Sequence, residues 1–110
     1  MSAVNPAIIE RLLAQNLIPV VSTIGADASG QAFNINADTV AGALAGAMGA
    51  EKAIYLTDIA GLLEDVDDPS TLISEITSDK VLYLIASGVI SGGMIPKVMS
   101  CVEALEAGAK

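Results

Sequence analysis

The sequence predicts an α/β fold with a mostly parallel sheet, because helical patterns alternate with short apolar segments along the chain. Two of these segments, Ile18–Thr23 and Lys52–Thr57, are rich in β-branched and large apolar residues and are expected to be buried strands. Ligands of such sheets bind beyond the carboxyl ends of the strands, where the turn Asp58–Gly61 is expected to lie. Two strands do not make a stable open sheet, so we expect a piece of a larger domain.

Two helices are predicted in the first half of the chain. Asn5 followed by Pro6 is typical of a helix start, and apolar residues at i, i+3 and i+4 predict an amphipathic helix over about residues 6 to 16. Gly25–Gln31 is polar and is predicted to be a loop. The next helix, Val40–Gly49, consists mainly of Ala and Gly, which would let another backbone approach it closely.

Two more helices are predicted in the second half. Thr77 or Ser78 can cap a helix that ends near Gly88. The last helix follows Lys97 and is closed by Gly108.

The composition excludes several classes of function. No apolar run reaches the roughly 18 residues of a membrane span, and no basic, then apolar leader is visible, so we expect a cytoplasmic protein. A net charge of −8 with five Lys and Arg residues argues against nucleic acid and anionic membranes as partners. Because histidine is absent, His-dependent nucleophilic catalysis and His-ligated zinc are excluded within the chain.

The acidic segment, the single cysteine and the hydrophobic content lead to three further predictions. The acidic segment Glu64–Pro69 is predicted to be a solvated loop without a metal, because Pro69 and Ser70 replace residues that an EF-hand loop needs. Cys101 has apolar neighbours and is predicted to be a buried thiol. The chain is 53% hydrophobic, so we expect it to cover apolar surface by forming a homo-oligomer.

Asn34, Asn36 and Asp38 stand at alternating positions just before the Ala/Gly helix. We expect them to share one face of an extended or turning backbone. The free N–H groups and partial positive charge of a helix N-terminus favour an anion there. The alternative is that Asn36 or Asp38 only caps the helix.

The Gly92-Gly93 pair is the second candidate for anion binding. Its flexible backbone precedes a helix N-terminus and is followed closely by Lys97, so N–H groups and an ammonium group could surround a phosphate. It is not a Walker loop, since the residue order differs. The alternative is a tight turn with Lys97 on a solvated helix face.

Three motifs in this order resemble the acetylglutamate kinases of the amino-acid kinase family, and the resemblance covers essentially the whole chain. They are Asn34–Thr39, Gly49–Lys52 with Leu56–Leu62, and Gly88–Lys97. The resemblance implies a three-layer α/β/α sandwich with a mostly parallel sheet, of which residues 1–110 form part of the nucleotide-binding domain, incomplete at both ends. It also implies transfer of the γ-phosphoryl group of ATP, accompanied by Mg²⁺, to the side-chain carboxylate of N-acetyl-L-glutamate in arginine biosynthesis.

The resemblance also implies roles for individual residues. Lys97 would neutralise charge on the transferring phosphoryl group, Asp38 would orient the catalytic lysines, and Asn34 would contact the acylated amino acid. Asn36 has no assigned contact. The nucleotide would lie against two segments, whose residues are Asp58, Ile59, Ala60, Gly61, Leu62, Leu63, Val89, Ile90 and Ser91.

The chain departs from the family pattern by lacking its amino-terminal domain. That domain supplies a lysine on a glycine-rich first strand, a second glycine-rich loop and an arginine for the amino-acid substrate. We therefore expect the 110-residue chain to be inactive alone. Two other functions stay open: a kinase of the same family for another acid, and a non-catalytic module that binds nucleotide or self-associates.

Overall fold

The structure is a computed structural model that describes residues 4–109. Within that range the chain forms four α-helices, one two-stranded sheet and a short 3-10 helix, which confirms the α/β class. In chain order the elements are α1 (Ala7–Ala14), β1 (Ile24–Ala26), β2 (Ala32–Asn34), α2 (Ala37–Ala47), the 3-10 helix Pro69–Thr71, α3 (Ser78–Ala86) and α4 (Met94–Glu106).

The sheet differs from the predicted one. β1 and β2 pair antiparallel, with Gly25 opposite Phe33, and the described residues form no parallel pair. The carboxylate of Asp27 accepts hydrogen bonds from the backbone N–H groups of Ser29 and Gln31, at 2.9 and 3.0 Å. Most of the predicted polar loop, residues 25–31, is therefore the turn of a hairpin. Its first two residues, Gly25 and Ala26, belong to β1.

The prediction of strands at residues 18–23 and 52–57 is wrong. Neither segment belongs to a strand within the part of the chain that the structure describes. Val20 is 95% exposed and Leu56 is 92% exposed. The apolar composition that predicted burial is present, but no neighbouring strand among residues 4–109 covers these segments. The described residues therefore do not form the three-layer sandwich by themselves.

The predicted helices are confirmed, with small shifts of their ends. The side chain of Asn5 accepts a hydrogen bond from the N–H of Ala7 at 3.1 Å, where α1 begins. Thr77 caps α3 by accepting from the N–H of Lys80 at 3.4 Å. α4 begins at Met94, earlier than predicted, because a proline in the first helical turn has no N–H bond to lose.

The hydrophobic core lies between α3 and α4. Its buried members come from α3, the following turn and α4, and they are Val81, Leu84, Ile90, Val98 and Val102. Partly buried residues pack against them, among them Leu62 and Ile73, which precede α3, and Met94 at the start of α4. The core thus joins residues on both sides of the acidic loop to α3 and α4. No helix in the described part of the chain is long and apolar enough to cross a membrane.

Candidate functional site

Helices α2 and α4 pack side by side and run in the same direction. From the N-terminal to the C-terminal end of both helices, Asp38 contacts Lys97 and Gly42 lies against Ser100. Further along, Gly46 lies against Ala107. The members on α2 are four residues apart and therefore lie on one face of the helix. This packing brings the N-termini of both helices to the same end of the pair, where their partial positive charges add.

An ion pair joins the two helices at that end. The Nζ atom of Lys97 lies 3.1 Å from Oδ2 and 3.3 Å from Oδ1 of Asp38, and each side chain is 26% exposed. The structure therefore brings together two residues that the sequence proposed as catalytic, although 59 positions separate them. Lys97 is thus half-buried in an ion pair and does not lie on a fully solvated helix face.

Asn34, Asn36 and Asp38 each make contacts with different groups of the chain. Asn36 caps α2, and its Oδ1 accepts from the N–H groups of Asp38 and Thr39 at 3.0 and 3.2 Å. Asn34 is exposed at the end of β2, where its Oδ1 accepts from the Thr23 hydroxyl at 3.4 Å. Capping is thus confirmed for Asn36, and it leaves fewer N–H groups of α2 free for an anion than we expected.

The N-terminus of α4 has no side-chain cap. The turn before it contains Gly92, at φ +55°, and Gly93, and a Cβ atom on either glycine would meet open space. The N–H groups of Met94 and Ile95 turn back to the carbonyls of Ser91 and Gly92. Backbone N–H groups of the glycine pair and the ammonium group of Lys97 are what this end of α4 can offer to an anion.

A cavity of about 450 Å³ lies beside this turn, within the size range of ligand pockets. Met94 belongs to its lining and stands one helical turn before Lys97, so the cavity adjoins the ion pair along α4. Most lining side chains are apolar, and the lining residues are Ile59, Ala60, Gly61, Leu62, Leu63, Val66, Val89, Ile90, Ser91 and Met94.

This lining unites the two segments that the sequence proposed for nucleotide binding. Asp58 is the exception, because it does not line the cavity and its carboxylate accepts from the Thr57 hydroxyl at 3.5 Å. Ile90 lines the cavity while 3% exposed, so its side chain is also part of the core. Val66 and Met94 were missed, since an isolated apolar residue in a loop or helix carries no sequence signal of a ligand.

A larger and more open cavity of about 1150 Å³ lies elsewhere, near the start of α3. Its lining includes Lys52, Glu64, Glu75 and Lys80, and contains none of the residues proposed for the site. Exposed charges of both signs line it, and among residues 4–109 no buried polar group points to a ligand. The smaller cavity and the ion pair are therefore the candidate functional site.

Local hydrogen bonds fix the conformation of the acidic loop. Oδ1 of Asp68 accepts from the backbone N–H and hydroxyl of Ser70, at 2.9 and 2.7 Å, and these bonds hold the pKa of Asp68 below its ordinary value. Across the described range, no group of three or more acidic or cysteine side chains is arranged to hold a metal ion.

A comparison against known families identifies the family of the chain. The model of the Amino acid kinase family matches residues 1–110, so the chain belongs to the amino acid kinase family. The chain is 56% identical over 110 residues to the acetylglutamate kinase of Nostoc sp., covering 100% of this chain and 37% of that protein. It is 52% identical over 110 residues to the chloroplastic acetylglutamate kinase of Arabidopsis thaliana, covering 100% of this chain and 32% of that protein.

A solved structure has the same fold. The crystal structure of smu.665 from Streptococcus mutans UA159 matches 98% of this chain and 42% of that chain, with a TM-score of 0.86 and 36% identity. The chain thus spans about a third of the length of the curated relatives it matches, at 37% and 32% of the two named above.

Proposed function

We propose that the longer protein to which this chain belongs is an acetylglutamate kinase. It would transfer the γ-phosphoryl group of ATP to the side-chain carboxylate of N-acetyl-L-glutamate, in arginine biosynthesis. The observation that carries this proposal is the ion pair between Lys97 and Asp38. It lies where the N-termini of the parallel helices α2 and α4 come together, beside the turn that contains Gly92 and Gly93. Residues 1–110 would be part of its nucleotide-binding domain, within a three-layer α/β/α sandwich that other segments complete.

The chemistry suits these residues. A carboxylate acceptor is already ionised near neutral pH, so phosphoryl transfer to it needs no histidine base. The main obstacle is the approach of two anions, which a positioned ammonium group relieves. In this proposal Lys97 stabilises charge on the transferring group, Asp38 holds Lys97 in place, and Asn34 binds the acylated amino acid.

The cavity suits the nucleotide. Its apolar walls suit the flat, apolar faces of a purine base, and the Gly92-Gly93 turn and Lys97 would then face the phosphates. Mg²⁺ would be held mainly by the ATP phosphates, because the described residues offer no carboxylate cluster for it. The ion would neutralise phosphate charge when bound.

The test is a steady-state assay of the full-length protein with ATP and N-acetyl-L-glutamate. Lys97→Ala should lower kcat by at least about 100-fold, the usual loss when a charge-stabilising group is removed. Lys52→Ala removes the same charge from an exposed position away from the ion pair and should leave kcat unchanged. Equal activity of both variants would contradict the proposal.

Parallel assays with aspartate, glutamate and carbamate test the related proposal of another acid substrate. Faster turnover with one of these acids would assign that substrate instead. The purified 110-residue chain should not phosphorylate N-acetyl-L-glutamate, and measurable turnover would show that the chain suffices alone.

A non-catalytic module is the second candidate function. The exposed apolar side chains of Ile18, Val20, Ile54 and Leu56 favour it, because they offer surface for self-association. This candidate predicts nucleotide binding or self-association that survives Lys97→Ala and Asp38→Asn, without turnover of any acid. Homo-oligomer formation and a cytoplasmic location stay predictions, and the Arabidopsis relative is named chloroplastic.

A further inference from the structure

Tyr55 joins segment 52–57, which has no strand partner among residues 4–109, to the helix that carries Lys97. Its hydroxyl donates a hydrogen bond to the backbone carbonyl of Ser100, at 3.3 Å and across 45 positions of sequence. The segment alternates, with Ala53 and Tyr55 partly buried and Ile54 and Leu56 exposed. A slip of one residue would turn the hydroxyl away from α4, so this bond sets the register of the segment on the helix.

The hydroxyl lies at a point where α2 and α4 approach each other closely. A Cβ atom on Gly42 would be 2.6 Å from the carbonyl oxygen of Ser100 and 3.1 Å from the Tyr55 hydroxyl oxygen. The three groups therefore meet at one point between α2 and α4. The Ser100 carbonyl lies inside α4 and already serves the helix ladder, so the Tyr55 hydroxyl is an additional donor there.

This meeting point is one helical turn from the ion pair on both helices. Lys97 precedes Ser100 by one turn on α4, and Asp38 precedes Gly42 by one turn on α2. Because a helix turn is rigid, a shift of α4 at Ser100 also moves the backbone of Lys97 relative to α2.

We propose that Tyr55 is a positioning residue whose bond to Ser100 fixes α4 along α2 and thereby holds the Lys97 ammonium group on Asp38. Its catalytic consequence rests on the proposed kinase function. The tyrosine remains a donor at neutral pH, because burial, and then the charges of Cys101 and Asp38, raise its pKa above the ordinary value.

The test is Tyr55→Phe in the full-length protein, which removes the hydroxyl and keeps the ring. The ring lines a small cavity with Cys101, Ala104 and Leu105, so its packing on α4 should remain. We expect kcat to fall about 10- to 100-fold, the loss that a misplacement of about 1 Å can cause, with the KM values for both substrates unchanged. Tyr83→Phe, at an exposed tyrosine of α3, is the matched control and should keep wild-type kcat.

Two further readouts separate positioning from general stability. Tyr55→Phe with Lys97→Ala should be no slower than Lys97→Ala alone, whereas a purely structural tyrosine would add its own loss. A crystal structure of Tyr55→Phe should show the Lys97–Asp38 distance beyond about 4 Å, the limit of an ion pair.

An unchanged ion pair in that structure would overturn the inference. If the wild-type protein turns over no acid, the kinase proposal fails, while the distance in Tyr55→Phe still decides whether Tyr55 positions Lys97.

Discussion

Gly42 lies so close to the backbone of Ser100 that a Cβ atom at position 42 would be 2.6 Å from the carbonyl oxygen. One turn further along α2, a Cβ on Gly46 would overlap the side chain of Ala107. Both glycines have a helical backbone, so glycine is not required by an unusual φ angle. It is required because a Cβ atom would overlap α4 or the residue that follows it. The close approach of α2 and α4, and with it the ion pair, depends on these two missing side chains.

Gly42→Ala should therefore destabilise the protein. The new methyl group meets backbone, which cannot rotate away, so we expect a loss of about 1–3 kcal/mol in the free energy of unfolding. This loss exceeds the gain in helix propensity of up to about 1 kcal/mol. Urea unfolding measures it. Gly93→Ala is the control, since its Cβ would meet open space at a helical φ of −66°, and equal stability of the two variants would contradict this packing.

The Asp38–Lys97 ion pair should matter more for activity than for stability. Both side chains are 26% exposed, and partly solvated pairs contribute at most about 1 kcal/mol to folding. Asp38→Asn should change the free energy of unfolding by less than about 1 kcal/mol and, under the proposed function, lower the kcat of the full-length protein by at least about tenfold. Denaturant unfolding and kinetics on the same variant test this, and a parallel loss of fold and activity would contradict it.

Cys101 should react slowly with alkylating reagents, and its alkylation rate should depend on the charges of Asp38 and Lys97. Burial raises the pKa of its thiol, the Asp38 carboxylate raises it further, and the Lys97 ammonium group lowers it. Asp38→Asn should therefore speed alkylation by iodoacetamide at about pH 8, and Lys97→Ala should slow it, because the thiolate is the reactive form. Alkylation in urea gives the unprotected rate. Opposite signs for the two variants would contradict the arrangement.

The hairpin turn should lose stability in acid. Hydrogen bonds from the Ser29 hydroxyl and the backbone hold the pKa of Asp27 below its ordinary value of 3.8. The stabilisation is present above the ordinary pKa and is lost as the pH falls through the folded-state value, because protonation then favours the unfolded chain. Asp27→Asn should reduce the difference in unfolding midpoint between about pH 7 and about pH 2.5, and an unchanged difference would contradict this role of Asp27.

The isolated 110-residue chain should self-associate through its exposed apolar segments. Ile54 is 81% exposed and Leu56 is 92% exposed on one side of an extended segment without a strand partner among the described residues. Leu56→Lys should shift the sedimentation coefficient toward the monomer, because a charge at an edge opposes pairing. Val66→Lys introduces the same charge at an exposed loop position and should not. A wild-type chain that is monomeric at all concentrations would contradict the prediction.

Local patterns predicted the helices and many of their ends correctly. Helix caps act within a few residues, so Thr77 at the start of α3 and Asn36 at the start of α2 are visible in the sequence. The two segments that the resemblance implies for nucleotide binding line one cavity, apart from Asp58, and their contact with a nucleotide stays a prediction.

Strands were predicted less well, for a physical reason. The segments 18–23 and 52–57 have the composition of buried strands, but a strand exists only through hydrogen bonds to another strand. Among residues 4–109 only β1 and β2 supply such a pair, within a segment that looked like a loop. Composition describes what a segment could bury, while pairing depends on what lies beside it.

The sequence by itself determined the helices, the acidic charge balance and the residues that can carry charge at the site, since these depend on residue type and short-range spacing. Only the tertiary structure decided that Lys97 meets Asp38 and that Tyr55 reaches Ser100. Those contacts join residues 59 and 45 positions apart. They require two helices to approach at glycines, and such an approach is set by the packing of the whole chain.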